Sequence, residues 1–582
     1  MRKRPGVPLS GSVALPGVRF AFGAGFWQGV GMASKFVVPD RDQVFFEEVS
    51  FHDRLGEGHV VWTIIDVVDR LDLSVIYDRY RPDVGGGGRP ALDPKMMLVL
   101  LIFGYSEGKR SSRQLEEACW RDMAYRAICG GITPDHATIA RFRARIDDVA
   151  EDLFVEVLKV LADAGMVDTS VVALDGTRMG SVASKEANRG ADALDKLHIE
   201  ARRMLDEAAQ ADTTNDTSDS TDTDTDTDTD TDTDTDADAD ADAGGGVVRG
   251  SSVARKATDQ VRRVDRIEAA SQVVADAEQR RAEVETKRQK PFKPVGNVTD
   301  PESRLQKTRG GFIQGYNAQS VVSADQVVIA CAVTPDSTDA AWLVPMLEQS
   351  RDNIATAGVT TTIGVALADA GYASAGNFNA DDDLGMGLLI STSKRRTVKQ
   401  HADRIEARTV RDKARIEILE WITSGDCTRR EAAQMLGVSL NWTGVLYRRL
   451  RTTGTLESPE SLAWHAMTAK LVEPDNKALY KQRSPLIEGS FAHIKTHRRT
   501  DTFIRHGLTA CQAEWHLINI VGNIMKLHKK IANTPCGPPT SGSRNGFRPI
   551  FDPHDVSHRF SLRNRCFGTR IRHHQPCRRV IT

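Results

Sequence analysis

Residues Val171–Gly180 read VVALDGTRMG. Four apolar residues lead into an aspartate, followed by Gly176 and Thr177. A strand covered on both faces reads as an unbroken apolar run, and VVAL has that form, ending on this reading at Asp175. The stretch GVALADAGY, Gly364–Tyr372, repeats the design at Asp369. A carboxylate at the end of a buried strand leaves the core and faces the crevice where open α/β sheets take up ligands. Gly176 and Gly371 permit tight exits. If the two strands are neighbours, two carboxylates meet; alone they repel, and one holds its proton more tightly. A divalent cation removes the conflict, and Mg2+ prefers oxygen ligands.

A third acid comes from KQRSPLIEGSFAHIK, Lys481–Lys495. Ser484 suits a helix N-cap and Pro485 a first helical position. That start puts Glu488 one turn in and Lys495 two turns further along the same face. Tyr480 and Arg483 stand just before it, and a helix N-terminus favours anions. Each residue alone has a bland explanation: an aspartate after a strand as a turn residue, a glutamate near a helix start as a partner for the dipole. The combination of an acid for metal with bases for phosphate is what carries weight.

The pattern around these segments predicts a mixed α/β protein. Residues 35–168 have apolar residues at three- and four-residue steps, as in HVVWTIIDVVDRL and DLFVEVLKVLADAGM, and are read as a helical N-terminal domain; periodicity alone favours an ordinary bundle with a charged surface, while its many Arg are compatible with a DNA-binding domain. Residues 1–34 are read as a disordered leader, with Met32 a candidate alternative start; Pro5, Pro8, Pro16 and Arg19 break any signal-peptide core. Residues 169–530 form the catalytic core. GYNAQSVVSADQVVIACAVTP reads as a hairpin turning at SADQ, followed by a helix from Ser337/Thr338 and strands in TTIGVALAD and GMGLLIST. An insertion, 183–300, has polar, Ala-rich flanks able to pair as a helical hairpin. Its acidic tract, 211–246, is too charged and too poor in large apolar residues to fold. A second insertion, 411–454, has a helix-turn-helix pattern with its turn at Gly437 and a small residue, Ala433, at the crossing. Its second helix ends in Arg448, Arg449 and Arg451, suited to phosphate. Residues 531–582 are read as a disordered basic tail.

The net charge of −2 hides an asymmetry. Fourteen Asp lie between Asp212 and Asp242 with no Lys or Arg among them. Setting those negative charges aside leaves +12, which points to a nucleic-acid partner. Eight scattered Cys without a CxxC pair suit reduced thiols in the cytosol. No window approaches the roughly 20 apolar residues that a membrane helix needs.

The set ALDGT, GYNAQ, LADAGY and Y-KQ-R-SPLI-E-GSFAHI-K, with the upstream SSRQLEEACWRDMAYRAICGGITPDHATIARFR and TDPESRLQKTRGGFIQGYNAQ, resembles bacterial insertion-sequence transposases of the DDE type, in particular the insertion sequence 1182 group. The resemblance spans about residues 35–530 apart from the acidic tract and the helix-turn-helix insertion. One departure is the Arg483–Glu488 gap, one residue longer than in the usual Y-R-E-K signature. The resemblance implies an RNase H-like mixed-sheet core in which Asp175, Asp369 and Glu488 hold two Mg2+ ions, with Mn2+ an accepted substitute. It implies that Tyr480, Arg483 and Lys495 hold transposon-end DNA and that Asn317 and Gln319 line the site. One ion would activate water or a DNA 3′-hydroxyl and the other would stabilise the leaving oxygen. The implied partners are double-stranded terminal inverted repeats and target DNA, bound by a homodimer or larger assembly at the bacterial nucleoid in the cytoplasm. The rival readings are a metal-dependent nuclease on the same core and a non-catalytic helix-turn-helix regulator.

Overall fold

The VVAL run is the first half of a longer strand. In the computed structural model, which describes residues 50–80, 91–215, 252–283, 293–392 and 398–534, β1 spans Val171–Gly180 and continues five residues past Asp175. The expectation of a strand ending at Asp175 is therefore corrected, and the reason lies in its two neighbours. Strands β2 (Asn188–Arg189) and β3 (Gly296–Asn297) pair separately; β4 (Arg304–Thr308), β5 (Gly311–Ser323), β6 (Val328–Thr334), β7 (Val365–Ala368) and β8 (Gly387–Ile390) join β1 in a six-stranded mixed sheet of order β4-β5-β1-β7-β8, with β6 also on β5. β5 pairs antiparallel with β1 from Val172↔Ser323 to Gly180↔Gly315, so the backbone beyond Asp175 keeps its ladder. The parallel partner β7 stops at Leu174↔Ala368. What ends at Asp175 is coverage by β7, not the strand.

The β5–β6 hairpin turns at residues 324–327, where Gln326 adopts a left-handed φ of 64°. The leader 1–34, the acidic tract beyond Asn215 and the tail beyond Thr534 lie outside the described residues.

Between Phe51 and Asp163 the chain forms helices α1 (Phe51–Leu55), α2 (Val60–Arg70), α3 (Ser74–Tyr77), α4 (Pro94–Ser106), α5 (Ser112–Arg121), α6 (Met123–Cys129), α7 (His136–Arg145) and α8 (Ala150–Asp163). Local chemistry sets several starts. The Asp93 side chain accepts from Lys95 N with Pro94 first in α4, and Asp135 accepts from Thr138 N at α7. In the first insertion α9 (Ala191–Asn215) and α10 (Ser252–Glu283) pack together around Leu194, Ala201, Val264, Ile267, Ala270 and Val274.

After the hairpin comes a 3-10 turn, Ala340–Trp342, and only then α11 (Leu343–Thr356). The helix expected from Ser337/Thr338 starts later because Asp339 turns its side chain towards β5 rather than capping a helix. Beyond β7 lie α12 (Ala375–Phe378) and α13 (Asp381–Leu384). The second inserted unit follows β8: α14 (Val398–Ser424), α15 (Arg429–Leu436) and α16 (Leu440–Thr453). Thr428 and Glu431 form a capping box at α15, Gly437 ends it at φ 62°, and Ser439 caps α16. This unit packs around Leu419, Leu446 and Leu456.

Helices α17 (Pro459–Val472), α18 (Pro474–Tyr480), α19 (Arg483–Ala492) and α20 (Leu508–Asn533) follow in the described residues. α20 is buried along most of its length and shares one hydrophobic core with α2, α4, α8 and the sheet. Its buried polar groups are spoken for. Asn523 bonds both the N–H and the carbonyl of Val328, Trp515 Nε1 donates to Gln319 O at 3.0 Å, and Glu514 accepts from Arg110 Nη1 at 2.7 Å. β5 is thereby held from behind as well as from both edges.

Gly315 marks the tightest point of the sheet. A Cβ there would lie 2.0 Å from the Met179 carbonyl oxygen. Gly315→Ala should therefore force β1 and β5 apart, lowering stability by about 1–3 kcal/mol, as read from the urea midpoint.

Candidate functional site

The register Leu174↔Ala368 makes Asp175 and Asp369 the next residues along two neighbouring parallel strands. Their carboxylates are held differently. Asp369 Oδ1 accepts from Gly371 N at 2.6 Å. Asp175 Oδ1 accepts from Gly176 N at 2.8 Å, and its Oδ2 accepts from Arg483 Nη1 at 3.1 Å. Burial first, and then the charge of Asp369, push the Asp175 carboxyl from its ordinary 3.8 up to about 6, against the opposing pull of Arg483.

α19 packs against β1 and brings the third acid. Its start corrects the expected one. The helix begins at Arg483, because Lys481 and Gln482 after α18 already hold helical dihedrals and Ser484 is not a cap. Pro485 is thus the third helical residue, a position whose N–H has no partner within the helix in any case. Glu488 Oε1 lies 3.5 Å from Arg483 Nη2, so one guanidinium joins Asp175 to Glu488. The Arg483 side chain is half-buried, whereas that of Glu488 is 59% exposed.

Past Ala492 the helix widens into a π-turn, His493–His497. The extra residue per turn shifts Lys495 out of the simple two-turn alignment with Glu488. Lys495 Nζ donates to the Arg178 carbonyl at 2.7 Å, and burial lowers its pKa. Tyr480 OH donates at 3.1 Å to the carbonyl of Ala368, the residue before Asp369, and burial raises the phenol. Both side chains therefore brace the two strands that carry the carboxylates.

Asn317 and Gln319, on β5, reach the same place. Both side-chain amides donate to Asp339 Oδ1, at 2.7 and 3.0 Å, and Arg178 Nη1 donates to it at 3.2 Å. The Gln319 side-chain oxygen accepts from Tyr372 OH. Asp339 is the group that sequence reasoning missed. Its segment, DSTD, reads as helix-cap chemistry, and the one available signal was a further aspartate close after the strand that follows GYNAQ. Arg448, Arg449 and Arg451 are not part of this cluster. They sit on α16, in the unit with its own small core, where Arg449 lies over the Trp442 ring at 5.7 Å.

Residues 49–145 match a transposase domain (DUF772), and residues 282–524 match a transposase DDE domain. The chain belongs to a DDE-type transposase family. No curated protein and no solved structure matches it. The transposase DDE match includes Asp369 and Glu488 and begins at residue 282, near the end of the first insertion, so Asp175 lies upstream of it. The family is one of DNA-cleaving and DNA-joining enzymes that generally use divalent metal ions, and its DDE domain implies an RNase H-like fold, with which the mixed α/β sheet agrees.

The donors present suit such an ion. Asp175, Asp369 and Glu488 offer only oxygen, the preference of Mg2+. Asn317 Oδ1 is fully buried with no hydrogen-bond partner among the described residues. Among those residues no set of three His, Cys, Asp or Glu side chains is arranged as a ready ligand group, and Arg483 stands between Asp175 and Glu488.

The Asp175 shift has a consequence for stability. Between about pH 4 and 6 the folded chain keeps a proton that the unfolded chain has released, so this group's contribution worsens as pH rises through that window. Above pH 6 the full penalty, roughly 3 kcal/mol, is present. Without divalent ions, Asp175→Asn should raise the melting temperature at pH 7.5, and the gain should shrink towards pH 4. A scan of melting temperature against pH for both proteins checks this.

Proposed function

We propose that the protein is a transposase of the insertion sequence 1182 group that cuts transposon ends and joins the freed 3′-hydroxyl to target DNA. In this reading Asp175, Asp369 and Glu488 hold a pair of Mg2+ ions, which Mn2+ can replace. The observation that carries the proposal is the parallel register of β1 and β7, which makes Asp175 and Asp369 neighbours at the end of the shorter strand. When bound, the ions supply an activated water or 3′-hydroxyl and stabilise the oxygen that leaves phosphorus.

The side chains around them have separable tasks. Arg483 offsets the charge of Asp175 and Glu488 in the absence of DNA and is placed to meet a phosphate. Tyr480 and Lys495 fix the strand ends through the Ala368 and Arg178 carbonyls and take the flanking DNA backbone. Asn317 and Gln319 line the floor. Arg448, Arg449 and Arg451 add a second DNA-binding surface on the helix-turn-helix unit, which we assign to terminal inverted repeats. Because two ends must be cut together, the working unit is a homodimer or larger assembly on double-stranded DNA, in the bacterial cytoplasm at the nucleoid. No helix among the described residues is long and apolar enough to cross a membrane.

A supercoiled plasmid incubated with donor ends and Mg2+ should yield joined products; nicks alone would favour a nuclease on the same core. Asp369→Asn or Glu488→Ala should lower cleavage by at least about a hundredfold, since loss of mere outer-shell partners of a metal already costs 10–100-fold, while end binding by gel shift persists. Full cleavage by either variant would remove the triad from the reading.

Replacing Arg448, Arg449 and Arg451 together by Ala should weaken end binding. The slope of log K against log salt should become shallower by about 0.9 for every phosphate these arginines neutralise in the wild type. Fluorescence anisotropy across a salt series measures both effects, and an unchanged slope would exclude these residues from DNA binding.

A further inference from the structure

Each carboxylate of the β1–β7 pair has a glycine one or two residues later, and at Gly176 strand exit does not explain it. β1 does not exit at Gly176 at all. A Cβ on Gly176 would stand 2.4 Å from Gln319 Nε2, 2.8 Å from Asn317 Oδ1 and 2.9 Å from Asp339 Oδ1, and a Cβ on Gly371 would stand 2.9 Å from Asp339 Oδ2. The Asp369 Oδ1 atom lies 2.7 Å from that second point. Asp339 is thus packed against both glycines, next to Asp369, and a side chain on either glycine would displace it.

The same carboxylate gathers three strands or their extensions. It accepts from Arg178 on β1 and from Asn317 and Gln319 on β5, while Gln319 accepts from Tyr372 in the loop after β7. Tyr372 N in turn donates to the Asp369 carbonyl at 3.2 Å. The network leads from Arg178 through Asp339 to the residue that sets the position of Asp369. Arg178 is the cation held by Asp339: its guanidinium donates to Asp339 Oδ1 at 3.2 Å and Oδ2 at 3.5 Å, and also to Ser337 O at 2.8 Å.

We propose that Asp339 is a positioning residue of the carboxylate site: it retains Arg178, keeps that guanidinium from neutralising Asp369, and fixes Asn317 and Gln319 beneath the pair. This rests on the reading that Asp175 and Asp369 hold divalent ions. Asp339 acts through its neighbours and is not assigned as a ligand. Partners of this kind orient ligands, and their loss costs 10–100-fold in metal affinity.

The test is Mn2+ binding to the full chain without DNA, followed by electron paramagnetic resonance of the free ion. Asp339→Asn keeps the shape and one acceptor oxygen. It should bind Mn2+ about tenfold more weakly while its melting temperature without metal stays within a few degrees of wild type. Adding Arg178→Gln to that variant should restore affinity to within about twofold, because the misplaced cation is then gone. Wild-type affinity in Asp339→Asn, or a double variant as weak as the single one, overturns the proposal. Arg178→Gln alone covers the case in which Asp339→Asn does not fold: its affinity should equal or exceed wild type, and a tenfold loss overturns the proposal. Asp175→Asn with Asp369→Asn separates the underlying reading. If wild type shows no Mn2+ binding that this pair abolishes, the metal reading itself fails and the role of Asp339 falls with it.

Discussion

The parallel pairing of β1 with β7 places like charges on adjacent strands, one residue beyond the last paired position. Hydrogen bonds from Gly176 N and Gly371 N hold the two carboxylates but do not cancel their charge. The strands cannot slide to relieve the repulsion. β1 is locked to β5 along nine partnered residues, and β5 is bonded from behind by Trp515 and flanked by β4 and β6. A one-residue slip would turn every side chain of a strand to the opposite face of the sheet. The sheet therefore stabilises an arrangement that is locally unfavourable, as expected where strain or charge is kept for a purpose.

Three cations lie around the site, each from a different element, and one of them, Arg483, offsets that charge directly. Arg483 comes from the start of α19, Arg178 from β1 itself, and Lys495 from the π-turn beyond α19. They are not equivalent. Arg483 touches Asp175 directly and spans to Glu488; Arg178 is tied to Asp339; Lys495 is spent on a backbone carbonyl. A guanidinium can serve two carboxylates at once because its donors form a rigid planar fork. That geometry explains how an exposed Glu488 and a half-buried Asp175 share one partner.

Much of this was legible in the sequence, and the part that was not has a physical pattern. Apolar runs ending in Asp175 and Asp369 located the two strands, since a doubly covered strand leaves no room for polar residues. Gly437 announced the turn of the inserted unit, because left-handed backbone is a local requirement. The length of β1 was not legible, because GTRMG is kept in the sheet by its partner β5 and not by any propensity of its own. Asp339 was hidden for the same reason: DSTD is ordinary cap chemistry until Asn317, Gln319 and Arg178 are folded around it. The early start of α19 and the π-turn that shifts Lys495 likewise come from neighbouring elements rather than from local sequence.

The insertions show how such a site tolerates long additions. Each carries its own apolar cluster, so neither borrows side chains from the core beneath the carboxylates. The first insertion is also closed at its base. Ser181 Oγ, just after β1, donates to Asp300 Oδ2 at 2.6 Å, and Tyr316 OH on β5 donates to Asp300 Oδ1 at 2.7 Å. Entry and exit are therefore clamped together, and Gly507 N bonds the same aspartate at 3.3 Å. The clamp at Asp300, and not the insertion itself, thus determines where β5 meets β1.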